Sequence, residues 1–183
     1  MINNTSDLVK IVRLSILKIL DAFSIDQTSV YVLLGGQNEP IEKKDHTILI
    51  TPVLHSQPLT SRMIYEPSLN NKLSNKSETL IQQTLQIDVF GTSKTMNAHD
   101  LAIKLKAGFE HCTIKNDILN AGVIFSEVQN MVQRHEKLSQ NTFEQISTFE
   151  IVLMYNIVVE FQDINKIEDV LCGESEVHFI LIL

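Results

Sequence analysis

The stretch Thr84-Leu85-Gln86-Ile87-Asp88-Val89-Phe90-Gly91-Thr92-Ser93-Lys94-Thr95-Met96-Asn97-Ala98-His99-Asp100-Leu101-Ala102-Ile103-Lys104-Leu105-Lys106-Ala107-Gly108-Phe109 decides the fold. Leu85, Ile87 and Val89 alternate with Gln86 and Asp88. A pleated strand sends those two sets to opposite faces. Gly91 interrupts the run. Leu101, Ala102, Leu105 and Phe109 then recur at three- and four-residue spacings, which makes one helical stripe. A strand with one apolar face, followed by a helix with one apolar stripe, buries both by laying the helix on the sheet. The pattern predicts an α+β domain: a mostly antiparallel sheet of five to six strands with two main helices packed against it.

Upstream, Asp7 to Phe23 carries Leu8, Ile11, Val12, Ile16, Ile19 and Phe23 on one ridge, with Ser15 its polar member. Val9 and Leu20 widen that ridge. Thr5 or Ser6 is the expected N-cap, and Asp7 suits the positive helix start. So broad a stripe implies contact with more than one layer or with another subunit. Thr28 to Leu34 reads as a strand ended by Gly35-Gly36, and His46 to Leu54 as a second strand. Pro52 marks an edge, a bulge or an end of the second one, because proline donates no ladder hydrogen bond. The intervening loop, from Gln37 to Asp45, is polar and charged. Arg62 to Glu66 reads as a short third strand, and Pro67 to Ser77 as a long polar connection. The central strand is expected from Glu78 or Thr79 to Phe90.

Downstream, Asn97 or Thr95 caps the second helix, which pairs Asp100 with Lys104 and ends near His111. Gly122 to Met131 reads as a strand, and Arg134 to Thr142 as a polar loop. Phe149 to Phe161 alternates most clearly. Phe149, Ile151, Leu153, Tyr155, Ile157, Val159 and Phe161 make one face, and Val152, Met154 and Val158 make the other face apolar in its middle. This strand is therefore central and covered on both sides there. Burying the seven residues is worth on the order of 10–20 kcal/mol before the entropy of ordering is subtracted. After Asp163, Ile164, Ile167 and Leu171 fit a short helix, and Val177 to Leu183 fits a last strand that must pair or dock.

The totals narrow the function. The 183 residues make one domain with a sizeable core. A net charge of -7 argues against a dedicated nucleic-acid binder, which concentrates positive charge to displace counterions from phosphates. Asp7, Lys10, Arg13 and Lys18 interrupt the apolar residues of the first helix, unlike a secretory signal. The apolar run Phe179 to Leu183 is too short to cross a bilayer, which takes about 20 residues. Cys112 and Cys172 lack zinc-ligand spacing and read as reduced, half-buried thiols, with a disulfide between them the alternative.

Chemical signatures are missing. Gly91-Thr92-Ser93-Lys94-Thr95 sits where a phosphate loop would, but Ser93 and Asp88 occupy the positions that need glycine. His99-Asp100 and His111-Cys112 are adjacent pairs whose side chains diverge on a helix, so surface or capping roles are expected. His135-Glu136 falls in a polar stretch, and Glu168 and Asp169 lack the spacing of a calcium loop. No catalytic, cofactor-binding or metal residue is assigned.

Three stretches carry a resemblance. They are Leu33-Leu34-Gly35-Gly36-Gln37-Asn38-Glu39-Pro40, the strand Gln82 to Gly91 with Asp100-Leu101-Ala102 after it, and Phe143 to Val159 with its Tyr155-Asn156 pair. Over about residues 5 to 162 the chain resembles the neck or tail-terminator proteins of tailed bacteriophages. The resemblance implies one domain over residues 1–162 and an extension over 163–183. It also implies a structural protein of the virion, assembled in the bacterial host cytoplasm. Such a protein forms a ring, commonly a hexamer, at the head-proximal end of the tail. The ring stops tube polymerisation and joins the tail to the head. Its partners are copies of itself, the tail tube protein and the head–tail connector protein, with genomic DNA only passing through the lumen and no membrane. No activity or cofactor is implied. An acidic chain suits a passage that must not grip DNA. The polar loops 36–46 and 67–78 suit end-to-end docking, and the broad first helix suits packing between subunits. Two alternatives remain at this point: another head–tail joining or tail-completion protein, and a small-ligand-binding α+β domain.

Overall fold

The computed structural model describes residues 5–35, 45–53, 56–67, 73–91, 96–137 and 143–164. The elements run α1 (Thr5–Ala22), β1 (Val30–Leu34), β2 (His46–Pro52), β3 (Gln57–Pro67), β4 (Leu73–Gly91), α2 (Ala98–Glu110), α3 (Cys112–Asn120), β5 (Val123–Lys137) and β6 (Phe143–Ile164). A single 3-10 turn, Gln27–Ser29, leads into β1. The described strands form one six-stranded sheet in the order β1-β2-β4-β6-β5, with β3 pairing β4. The fold is α+β with a mostly antiparallel sheet, as the alternation predicts; β1 and β2 are the parallel pair. The chain divides into two compact units. The larger holds residues up to 60 with 80–157, and the smaller holds 61–79 with residues from 158 on.

In the larger unit, register explains the core. The β2–β4 pairing sets Ile48 opposite Val89, Ile50 opposite Ile87 and Pro52 opposite Leu85. Ile48, Ile50, Leu85, Ile87 and Val89 are all fully buried on one face. The same core takes Phe149, Ile151, Leu153 and Tyr155 from β6. Four of the seven side chains expected to be buried there are so. Ile157 is partly covered, Val159 is exposed, and the Phe161 side chain lies outside the description. On the opposite face Val152 is buried too, so the middle of this strand is covered on both sides. Pro52 is the last residue of β2, where its missing N–H costs the ladder nothing.

The breadth of the α1 stripe is used within the domain. Leu8, Val9, Val12, Ile16, Ile19 and Leu20 are buried, and α1 meets β1, β2, α2 and α3. Ser15, buried on that stripe, donates its hydroxyl back to the Ile11 carbonyl at 3.0 Å. Thr5 and Ser6, the expected caps, already lie within the described helix, and the Thr5 side chain hydrogen-bonds to the Tyr155 phenol. It ends with Ser24 at φ 54°, where Ile25 N–H bonds Leu20 O and Ser24 N–H bonds Asp21 O. Phe23, expected on the ridge, follows the last helical residue Ala22 and is exposed. Helix α2 is capped by Asn97, whose side chain accepts from Asp100 N–H at 2.8 Å. Lys104 does not reach Asp100; its ammonium sits 3.7 Å from Met96 Sδ and 5.9 Å above the Phe23 ring. At the end of α2, Phe109 stacks on Phe125 and meets Phe149 edge-on, with centroids 6.0 and 6.4 Å away. Gly108 lets α1 approach: a Cβ there would lie 2.4 Å from Ile19 Cγ2.

Several boundaries differ from the expectation. A third helix, α3, covers Cys112–Asn120, using only Ile114 and Ile118 as buried anchors. Two buried positions in nine residues leave little periodicity to read. Strand β5 runs to Lys137, so Arg134 and the His135-Glu136 pair are strand residues rather than loop. It crosses two register shifts, between Phe125 and Glu127 and between Gln129 and Val132. Asn130, at φ 42°, sits in the second, and such bulges blur alternation. In the smaller unit, β3 is far longer than Arg62 to Glu66, and β4 begins at Leu73. The connection expected over Pro67 to Ser77 is thereby reduced to residues 68–72, which lie outside the described residues, as do the 37–44 part of the first polar loop and the helix and strand expected after Asp163. Polar cross-strand pairs hold β3 to β4: Arg62 to Glu78 at 2.5–2.7 Å, and the Ser61 hydroxyl to the Thr79 hydroxyl at 3.0 Å. Hydrophobic period gives no sign of a ladder built that way.

Gly108→Ala is expected to destabilise the chain by about 1–3 kcal/mol through overpacking on Ile19; a lower urea midpoint with an unchanged slope checks it. Burial raises the Tyr155 phenol above 10.0, opposed by its hydrogen bond with Thr5. A phenol with a raised folded-state value keeps its proton after the unfolded chain has ionised, so it contributes a loss of stability as pH climbs past about 10. Tyr155→Phe is expected to make the melting temperature fall less steeply between pH 9 and 11, as followed by circular dichroism.

Candidate assembly surface

The residues that chemistry would need are held apart or put to structural use. His111 caps α3, its Nδ1 accepting from Thr113 N–H at 3.3 Å. Cys112, in the first turn of α3, is a free and exposed thiol, where a half-buried one was expected; Cys172 lies outside the described residues. His99 sits in the first turn of α2, with Nδ1 buried. Among the described residues no group of three or more His, Cys, Asp or Glu side chains could hold a metal. Of the Gly91 to Thr95 stretch only Gly91 is described. It ends β4 opposite His46, and a Cβ there would lie 2.9 Å from Ala98 N and 3.0 Å from His46 Cδ2. Glycine at this corner thus serves the approach of strand, helix start and imidazole. Glu168 and Asp169 lie outside the described residues.

Two interior polar residues escaped the sequence reading. His46 is buried in the first position of β2, with Nε2 2.9 Å from Met96 O, which ties the sheet to the turn before α2. Gln83 is buried where β4 leaves the residues paired with β2, and its amide donates to Val53 O at 2.8 Å and Thr84 O at 3.0 Å. That side chain satisfies carbonyls at a break in the ladder. Neither residue stands out by spacing: His46 opens β2, and Gln83 lies within β4 beside the end of β2, a place that only the pairing reveals.

The sheet face turned from the core is built around a polar clamp. Gln86 and Asp88 alternate with the buried residues of β4 and are half-buried. The Gln86 amide donates to both Asp88 carboxylate oxygens, at 2.9 and 2.8 Å, and the Thr148 hydroxyl donates to Oδ1 at 2.6 Å. These are charge-assisted hydrogen bonds, stronger than neutral ones. Three donor contacts engage the carboxylate, so this patch is a finished structural element between β4 and β6. Leu49 pairs with Asp88, and Thr47 pairs with Phe90, so apolar and polar half-buried residues alternate across the same face. Such a mixed polar and apolar arrangement is of the kind found where protein surfaces meet.

On the helical side, Leu14 is 60% exposed, and Ile103 and Leu119 are exposed on α2 and α3. Lys18 of α1 reaches Asp117 of α3 at 2.8 Å, and Lys115 bonds Glu110 at 2.6 Å while lying 5.2 Å above Phe125. Both pairs are solvated, so they add little stability. No described helix is long and apolar enough to cross a membrane.

Thr148→Val is expected to cost about 1–3 kcal/mol by removing one hydrogen bond to the Asp88 carboxylate; chemical denaturation of the pair Thr148→Val and Thr148→Ser checks it, with serine retaining most of the stability.

The comparisons with known proteins come down on the same side as this geometry. A family model described as phage neck terminator protein matches residues 6–178. No curated protein shows a significant match to the chain.

Proposed function

The chain belongs to the phage neck terminator family, and from that premise we propose that it forms a ring, a hexamer by preference, that caps the tail tube. The ring stops further tube polymerisation and offers its far side to the head–tail connector. The single observation that carries this reading is the family match over 173 of 183 positions (178 − 6 + 1). The partners are copies of itself, the tube protein and the connector protein. The role is structural, and no reaction is assigned to it.

Physical features support the reading. The net charge of -7 gives a lumen no reason to hold DNA. The mixed outer face of the sheet and the exposed Leu14, Ile103 and Leu119 are compatible with protein contacts. The polar stretches 36–46 and 67–78 carry the end-to-end contacts with tube and connector, and the chain is one terminator domain to residue 162 with an extension over 163–183. The protein is a component of the virion, put together in the host cytoplasm.

Reversing Lys43, Lys44 and Lys72 to glutamate tests the docking role. Joined head–tail particles, counted by electron microscopy after complementation, are expected to fall at least tenfold while the melting temperature of the purified protein stays within about 2 °C. Unchanged joining would remove these stretches from the interface.

A further inference from the structure

The two sides of the larger unit differ in the sign of their charge. On the sheet face turned from the core, pairing sets Ile124 beside Met154, Glu127 beside Val152 and Val132 beside Thr148. Leu49, Asp88 and Phe90 continue that face across β2 and β4. None of its apolar side chains belongs to the core that α1, α2 and α3 share with the sheet, so no described helix covers it. Ile124 is 48% exposed and Val132 44%. The strand segments 30–34, 46–52, 80–91, 123–133 and 146–157 contain no lysine or arginine, and their carboxylates are Asp88, Glu127 and Glu150. These three accept hydrogen bonds from the neutral side chains of Gln86, Thr148, Gln129 and Asn130. Among the described residues no cation pairs with them.

The exposed ridge of α1 is the complement. Leu14 has Lys10 one turn before it, Lys18 one turn after it and Arg13 beside it. Lys10 and Lys18 each have an acid in the same chain, Asp7 at 3.3 Å and Asp117 at 2.8 Å. Arg13 is exposed, and among the described residues it pairs with no acid. A guanidinium is matched by a carboxylate, which it can grip through two hydrogen bonds. The outer sheet face offers carboxylates lacking a cation, set among exposed apolar side chains. The α1 ridge and that face look away from each other across one core, so a single chain cannot join them. Two chains can. We propose that the ridge around Arg13 and Leu14 docks on the outer sheet face of a second copy, around Glu127, Glu150, Ile124 and Val132. The contact is head to tail, and its repetition gives a closed ring or an open fibre according to the turn at each step. The inference rests on the proposed ring and names the two faces that build it.

Cross-linking tests it in the full-length protein carrying Cys112→Ser and Cys172→Ser, supplied to cells infected by phage that lack their own copy. Leu14→Cys, Val132→Cys and the two combined are treated in the lysate with a short bismaleimide. The combined variant is expected to give a ladder of dimer, trimer and larger species, and each single variant to stay at monomer mass. Dimers from Leu14→Cys alone, the mark of helix meeting helix, would overturn the proposal. Oligomers sized by sedimentation but giving no ladder would overturn it too, and would leave the ring standing. A ladder running on into open fibres would keep the contact and remove the ring, and monomer throughout would remove both. In the cross-linking background, Arg13→Glu, and separately Glu127→Lys with Glu150→Lys, is expected to cut the ladder at least about tenfold, and all three together to restore it. Restoration excludes a folding defect as the cause of the loss; no loss, or a loss without restoration, would overturn the charge pairing.

Discussion

The structure depends on one constraint: the apolar face of a twisted sheet must be covered by helices that also touch each other. The strands β2, β4 and β6 present Ile48, Ile50, Leu85, Ile87, Val89, Phe149, Ile151 and Leu153 as one continuous buried surface. Helix α1 lies against that surface and against α2, and the crossing is close because position 108 has no side chain to hold Ile19 away. Phe109, the next residue, then reaches down onto Phe125 and Phe149. Each fully covered aliphatic or aromatic side chain is worth about 1.5–3 kcal/mol. No polar contact among the described residues competes with the sum.

Once the core side of the sheet is committed, function is left to the other surfaces. The outer face carries no assembled chemistry: its central carboxylate is occupied by Gln86 and Thr148. Among the described residues His111 caps a helix and His46 fastens a turn. A protein built so is suited to touching other proteins. Membership of a neck terminator family says that those surfaces belong to a phage neck.

Much of this was legible in the sequence wherever burial imposes a period. The alternation of Leu85 to Val89, the stripe of Leu101 to Phe109 and the double-sided middle of the strand around Val152 all name their own environments. Where other forces set the structure, the pattern is silent. The β3–β4 ribbon is held by Arg62 with Glu78 and Ser61 with Thr79, so only Arg62 to Glu66 of β3 reads as strand and the first residues of β4 read as loop. Helix α3 has two buried anchors, and β5 slips register twice. Phe23 fits the α1 ridge by spacing but follows the last helical residue, Ala22, and immediately precedes the left-handed Ser24, a stop that periodicity does not report. The buried roles of His46 and Gln83 arise from where strands end, a property of the tertiary arrangement alone.

The central claim is that this chain ends a tail tube and joins it to a head. The most direct measurement is electron microscopy of lysates made without the protein and with it restored. In its absence the account predicts tubes of variable, excessive length and filled heads without tails, both corrected on complementation. Tubes of normal length on normally attached heads in its absence would contradict the account.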